Sequence, residues 1–343
     1  MDNIKLLDCT LRDGAHVNDG NFGFDIMKGI IKELTYANVD IVELGFLKNG
    51  EFTKDQSFYN YIEEIYSILE SSVGTDNHER FCEYSVMIRS DLYDIKKLTK
   101  CNGLIKNIRF AFYLKDIDLL KKQCYYAREK GYNIIINPIN FTGYNAKELP
   151  SLLKEVKNIM PSTLTIVDTF GSLTKESLLS LYNYLENNLN KNIPIGLHLH
   201  ENLSLSFSLA QYFMEIKEKS RVAVIDASLF GIGRIPGNLS IELIADYMNS
   251  NLNKAYKIEN ILEAISKYIV PIRTRLSWGY SPAYFLTAKR GSHRSYAEFL
   301  LKKNDLTLND INKIIDIVCR SKQKSIFDIK YIEKIYLEYK NNI

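Results

Sequence analysis

The sequence predicts an α/β protein: a closed (β/α)8 TIM barrel over residues 1–252, then a small all-helical extension over 253–343. Three observations carry this expectation. Short apolar, β-branched runs alternate with longer amphipathic segments eight times before about residue 250. Polar residues recur at the C-terminal ends of those runs, the face on which such barrels build their sites. The turn after the first run lacks a GxGxxG, which weakens the rival reading, an open doubly wound sheet.

In chain order the predicted strands are Ile4–Asp8, Asp40–Gly45, Glu83–Ile88, Ile108–Phe112, Asn133–Pro138, Thr163–Asp168, Ile193–His200 and Val222–Asp226. Helical patterns separate or follow them over Asp25–Tyr36, Tyr59–Ser71, Leu92–Thr99, Ile117–Lys130, Ala146–Ile159, Lys175–Asn188, Leu203–Lys217 and Ser240–Ser250. The segment Lys48–Phe58 is longer than a usual βα connection and reads as a loop or lid over the barrel mouth. Beyond residue 257, Ile258–Tyr268, Ser295–Lys303, Leu308–Cys319 and Ile329–Tyr339 carry apolar residues at three-to-four spacing, without strands. Asn309 or Asp310 reads as the start of the third, and the Gly279/Pro282 region as a break between the first two.

The bulk numbers exclude several classes. The 343 residues suffice for one large barrel core or two domains. The chain is 46% apolar and 25% charged, an ordinary globular balance. Its net charge of +3 is small against 44 basic and 41 acidic side chains, so no nucleic-acid and no anionic-membrane partner is expected. Cys9, Cys82, Cys101, Cys124 and Cys319 are odd in number and lack a CxxC pair, which reads as reduced thiols in a cytoplasmic protein. No basic start precedes an apolar run, and no uncharged apolar stretch of about 18 residues occurs.

The chemistry-bearing residues fall at the predicted strand ends. Arg12, Asp13 and His16 follow the first strand; Glu43 ends the second; Asn137 and Asn140 follow the fifth; Asp168 and Thr169 follow the sixth. His198, His200 and Asn202 end the seventh, and Asp226, Ser228 and the run Gly231-Ile232-Gly233-Arg234-Ile235-Pro236-Gly237-Asn238 follow the eighth. Charges inside a barrel are expensive unless paired or bound to metal, so their gathering at one rim argues for function. His198 and His200 are two of only five histidines. At i and i+2 of a strand they face one side and can share one ion, with Asp13 as third ligand. Two imidazoles and a carboxylate, with positions left open, make a catalytic divalent-metal site rather than a closed structural one. Alternatives stand beside this: strand histidines satisfied by backbone partners, Asp13 capping the turn before Asn21, and Arg12 paired structurally with Glu43. Cys9 reads as a small hydrophobe. The glycine-rich run fits a tight turn and an anion site through backbone N–H groups equally well. His78 reads as a solvated loop residue.

At these residues the sequence resembles the DRE-TIM metallolyase (HMGL-like) family. Asp8-Cys9-Thr10-Leu11-Arg12-Asp13-Gly14, His198-Leu199-His200-Glu201-Asn202 and Gly231–Asn238 look like its three signatures. The family includes 4-hydroxy-2-oxovalerate aldolase, 3-hydroxy-3-methylglutaryl-CoA lyase and the isopropylmalate and homocitrate synthases. The likeness covers residues 4–250, and the tail with Trp278–Tyr284 looks like the extension of the aldolase branch. His16, four residues after Arg12, stands where the hydroxy-oxo-acid aldolases carry their catalytic histidine. The coenzyme-A lyases need a cysteine in the loop after strand eight, and Gly231–Asn238 has none. Departures are Arg234, where the condensing enzymes typically have Glu, the Arg234-Ile235-Pro236 loop, and Asp168-Thr169-Phe170-Gly171, which is closer to the general family form.

The resemblance implies a metal-dependent aldolase that makes or breaks a carbon–carbon bond next to a 2-oxo acid, with pyruvate enolate chemistry. Asp13, His198 and His200 would hold the divalent ion, Mn2+ first and Mg2+, Co2+ or Zn2+ as alternatives. Arg12 would stabilise the oxyanion, His16 would be general base and acid, and Tyr280, or else Tyr284, would close over the substrate. Glu43 and Asn202 would orient ligands, with Asp168, Thr169, Gly233 and Asn238 behind them or at the substrate. The small-molecule partners are a 2-oxo acid and an aldehyde. The C-terminal helices would dock a second copy or an aldehyde dehydrogenase. The aldehyde itself depends on Lys48–Phe58 and on Met87, Arg89, Phe110 and Tyr113. Two rival functions are a Claisen-type acyl-CoA/2-oxo acid transferase and a partner-binding barrel without activity; the intact Arg12, Asp13, His16, His198 and His200 count against the second.

Overall fold

The structure is a computed structural model that describes residues 3–74, 82–320 and 324–341; His78 lies outside them. Eight parallel strands form the barrel: β1 (Ile4–Asp8), β2 (Ile41–Leu47), β3 (Glu83–Arg89), β4 (Asn107–Phe112), β5 (Asn133–Pro138), β6 (Thr163–Val167), β7 (Ile195–His198) and β8 (Ala223–Ala227). Each pairs with its sequence neighbours, and β1 pairs with both β2 and β8, so the sheet closes on itself. A two-residue strand, Phe58–Tyr59, adds to the outside of β2.

The outer ring contains α1 (Phe24–Tyr36), α2 (Glu63–Val73), α3 (Ile117–Glu129), α4 (Glu148–Ile159), α5 (Lys175–Asn188), α6 (Ser206–Ile216) and α7 (Ile241–Leu252). Each buries one stripe, for example Met27, Ile30, Ile31 and Leu34 of α1. Between β3 and β4 the expected helix over Leu92–Thr99 shrinks to one 3₁₀ turn at Ile95–Lys97. The Asp94 carboxylate accepts the Lys96 N–H at 3.1 Å, and this local bond competes with a helical ladder. The lid segment is tied down: the Asp55 carboxylate accepts the N–H of Phe24 at the start of α1, and the Ser57 hydroxyl donates to the carbonyl of Leu11.

Beyond the barrel come α8 (Ile258–Ala264), continuing through one wide π turn at Ile265–Ile269 to Arg273, and then α9 (Pro282–Lys289), α10 (Ser295–Leu301), α11 (Leu308–Cys319) and α12 (Ile329–Asn341). The chain does break before Pro282, over residues 274–281 around Gly279, and Pro282 then starts α9, a helix the pattern did not announce, because a proline at the first helical position gives up an N–H that has no partner there anyway. The cap of α11 is Thr307, whose hydroxyl accepts the Asp310 N–H while Asp310 accepts from the Thr307 N–H. One apolar core runs from the barrel through α8 to Trp278, and a second joins α9 to α12 through Ala283, Tyr296, Ile314, Ile315 and Ile332. The linker between them is anchored to the loop after β8, since Trp278 Nε1 donates to the carbonyl of Phe230 (2.9 Å) and Gly279 N–H to that of Pro236 (2.7 Å).

Candidate active site

Inside the barrel, Leu7, Cys9, Ile41 and Val224 form a small apolar cluster of their own. Glu43 and Asp226 lie two residues beyond Ile41 and Val224 and therefore share their inward face. Both are fully buried and paired. Arg109 of β4 donates from Nη1 to Glu43 (3.0 Å), forms an ion pair with Asp226, and reaches Asn137 Oδ1 at 3.3 Å. Arg12 donates from Nε to the same Glu43 oxygen at 2.8 Å and pairs with Asp13. Glu43 thus holds two guanidinium groups in place, and Arg12 is at once a structural partner and a wall of the cavity above.

That cavity, of about 320 Å³, opens at the C-terminal ends of the strands. Asp13, His198 and His200 line it, each buried, with one ligand atom apiece mutually within 4.8 Å. The two imidazoles are oriented from behind. His200 Nδ1 lies 2.9 Å from the carbonyl of Asp168, a pairing that puts the ring proton on Nδ1 and leaves Nε2 as a bare, buried lone pair without a protein partner. His198 Nδ1 sits 3.1 Å from the Asp226 carboxylate. Burial would raise the Asp13 carboxyl, but Arg12, His198, His16 and His200 together hold it well below the usual range. Burial and the neighbouring His198 push His200 down to about 3, against the pull of Asp13. An ionised Asp13 carboxylate and a neutral His200 imidazole are protonation states that divalent-cation ligation needs. The donor set fits a divalent metal.

The other expected residues distribute as follows. His16 is 44% exposed at the cavity edge, with Nε2 3.9 Å from Asp13. The protein packed around its ring lowers it to about 4; Asp13 pulls it up, and Arg234, Arg12 and Arg294 push it down. Thr169 lines the cavity, and its hydroxyl oxygen accepts the Asn140 N–H at 2.7 Å. Asp168 instead caps its own turn, accepting the N–H groups of Ser172 and Leu173 at 3.0 Å. Asn202 is buried beside Gly171, outside the cavity lining. Asn238 forms a bridge with His200 and donates to the carbonyl of Ile232 at 3.4 Å. Gly233 lies where a Cβ would come within 2.6 Å of Asp13 Oδ2 and still closer to Asn238 Nδ2. Met87, Arg89 and Tyr113 line the cavity, whereas Phe110 belongs to the apolar core.

Tyr280 is not brought to the site. The bond of Gly279 N–H to Pro236 holds the turn against the β8 loop and leaves Tyr280 54% exposed, outside the cavity lining, while Tyr284 packs into the core of the extension. The extension contributes His293 and Arg294 instead, from the start of α10. Sequence reasoning passed over these two, along with Arg109. For Arg109 a signal existed: a charge in mid-strand between Ile108 and Phe110. His293 and Arg294 carried none, because only the packing of the extension brings them over the barrel.

A 4-hydroxy-2-oxovalerate aldolase of Geobacillus genomosp. 3 is 23% identical to this chain over 292 residues, spanning 82% of this chain and 83% of that protein. A 2-isopropylmalate synthase of Geobacillus stearothermophilus is 24% identical over 302 residues, 79% of this chain and 55% of that one. Among solved structures, the N-terminal domain of a Bacteroides vulgatus protein described as an aldolase superposes with a TM-score of 0.73 at 21% identity, covering 88% of this chain and 97% of that one. The sequence pattern of the HMGL-like family matches residues 3–267, more than half of the chain and every strand of the barrel. With closed barrel and family pattern in agreement, this chain belongs to the HMGL-like family.

Proposed function

We propose that the protein is a divalent-metal-dependent carbon–carbon lyase of the pyruvate-aldolase type. The observation that carries this is the convergence of Asp13, His198 and His200 within 4.8 Å of one another, in the cavity that Arg12 and His16 also line. The ion, when bound, supplies Lewis-acid polarisation of a 2-oxo acid; Mn2+ is the proposed metal, since mixed nitrogen and oxygen ligation suits it.

The chain's own residues supply the rest. The protein bonds of Arg12 occupy Nε and Nη1, so a charged N–H donor remains for the oxygen on which enolate charge develops. Thr169 accepts from Asn140 and keeps its own proton to donate to a substrate carboxylate. Asn137 Nδ2 is a buried donor without a protein partner and serves the same end. His16, neutral at pH 7, takes the proton of the substrate hydroxyl as the carbon–carbon bond breaks and returns it in the reverse direction. In the direction of bond formation a methyl proton of pyruvate passes to solvent, the enolate carbon attacks the aldehyde carbon, and His16 supplies the proton taken up by the aldehyde oxygen. The five free cysteines suit a reducing compartment, and we place the protein in the cytoplasm. Exposed Leu308, Ile317, Ile329 and Leu337 on α11 and α12 suit docking of a second copy or of a dehydrogenase that consumes the aldehyde.

The test is deuterium uptake into the pyruvate methyl group in heavy water, followed by mass spectrometry. Wild type with Mn2+ should exchange and the chelated protein should not; Arg12→Ala should slow exchange by roughly 10²–10³. Cleavage of 4-hydroxy-2-oxo acids should fall by about 10² or more in His16→Ala. The similarity to 2-isopropylmalate synthase supports a second reading, condensation of an acyl-CoA with a 2-oxo acid. Thiol release from acyl-CoA and a 2-oxo acid, without pyruvate exchange, would establish that reading and remove the first.

A further inference from the structure

Arg234 stands apart among the arginines that line the cavity. Arg12 pairs with Asp13 and Glu43, Arg89 with Asp91, Arg109 with Glu43 and Asp226, and Arg294 with Glu298. Arg234 makes no ion pair with a carboxylate among the described residues, and its guanidinium meets only His293 Nε2, at 3.0 Å. That ring is already committed. Its Nδ1 accepts the Ser295 N–H at 3.2 Å, so a neutral imidazole carries its proton on Nε2, and donor then faces donor. Burial, with Arg234 and Arg294 beside it, keeps the ring neutral, holding it down to about 3. Phe170 and Phe327 pack against His293 and fix it there. A third donor, Arg294 Nε, is buried without a partner. Three donors around an unshared positive charge lack an acceptor, and a half-buried cation left without one is costly.

We propose that Arg234, His293 and Arg294 form an oxyanion subsite for the aldehyde half of the substrate, which therefore bears a carboxylate or a phosphoryl group rather than a plain alkyl tail. The backbone N–H of Arg234 donates to Asp13 Oδ2 at 3.1 Å, so the residue spans from the metal ligand to the extension. Thr169 and Asn137 serve the 2-oxo acid, and the arginine cluster serves its partner. This inference rests on the aldolase reading above.

The experiment compares matched aldehydes in addition to pyruvate with Mn2+: glyceraldehyde 3-phosphate against glyceraldehyde, and succinic semialdehyde against butanal. The pair with the larger ratio identifies the anion. In wild type at least one anionic member should exceed its neutral counterpart about tenfold or more in kcat/KM. Arg234→Gln should bring that ratio close to one, and Arg234→Lys should retain part of it. Neutral aldehydes used as well as anionic ones in wild type, or an equal loss for both members of a pair in Arg234→Gln, would overturn the subsite while leaving the aldolase reading intact. If pyruvate itself fails to exchange, the aldolase reading falls, and calorimetric titration of the same protein with inorganic phosphate and with succinate judges the subsite. Binding that weakens about tenfold in Arg234→Gln upholds it, and absence of binding by either anion overturns it.

Discussion

Asp8 ends β1 fully buried, its oxygens accepting the N–H of Thr10 at 3.0 Å and the Thr10 hydroxyl at 2.6 Å. Burial raises this carboxyl from 3.8 to about 7, despite the two bonds from Thr10 and the nearby Arg12. A raised carboxyl favours the folded state while it is protonated in both states. Its contribution is complete below about pH 4 and is lost as the pH climbs to about 7, a difference of roughly 4 kcal/mol. Asp8→Asn should therefore flatten the pH dependence of urea unfolding between about pH 4 and 7 in chelated protein, with its largest gain above pH 7. An unchanged slope across that window would show that Asp8 titrates normally. At this scale the convergence of Asp13, His198 and His200 was legible, because the i, i+2 spacing of the two histidines and the strand-end position of Asp13 are local properties. Arg109 and Asp226 gain their meaning only across the barrel, from a closure that juxtaposes β4 and β8 side chains.

The loop after β8 is the element on which the site closes. Gly231 adopts φ 62°, a left-handed conformation that a side chain disfavours, while Gly233 is excluded from carrying a Cβ by Asp13 and Asn238. Gly233→Ala should displace the Asp13 carboxylate and weaken Mn2+ binding about 10- to 100-fold, read by calorimetric titration of the metal, with near-normal secondary structure by circular dichroism. Binding as tight as wild type would mean that the loop yields without moving Asp13. Most elements were readable from periodicity: α5 and α11 fall on the expected residues, and β1 and β5 likewise. The failures have local causes. Asp94 spends its carboxylate on a turn, and the missed helix α9 begins at Pro282, at the one helical position that welcomes a proline.

At the scale of the whole molecule, metal binding and folding are linked. An ion that binds the folded site and not the unfolded chain stabilises by about 2.7 kcal/mol at a hundredfold excess over its Kd. The melting temperature should climb with Mn2+ concentration, fall with chelator, and lose its metal dependence in His198→Ala; a metal-independent melting curve for wild type would count against the triad. A reach of the extension over the site was expected through Tyr280; what no pattern in the chain announced is that His293 and Arg294 make it. Its own apolar core sets α10 over the barrel mouth, and two basic residues from it complete a cavity whose other walls come from strand ends. The cavity is thereby written in two stretches of the chain, which meet where Arg234 of the β8 loop reaches His293. The far wall of the cavity is shared by the β8 loop and the distal helices, so a change in those helices reshapes that wall and leaves Asp13, His198 and His200 in place.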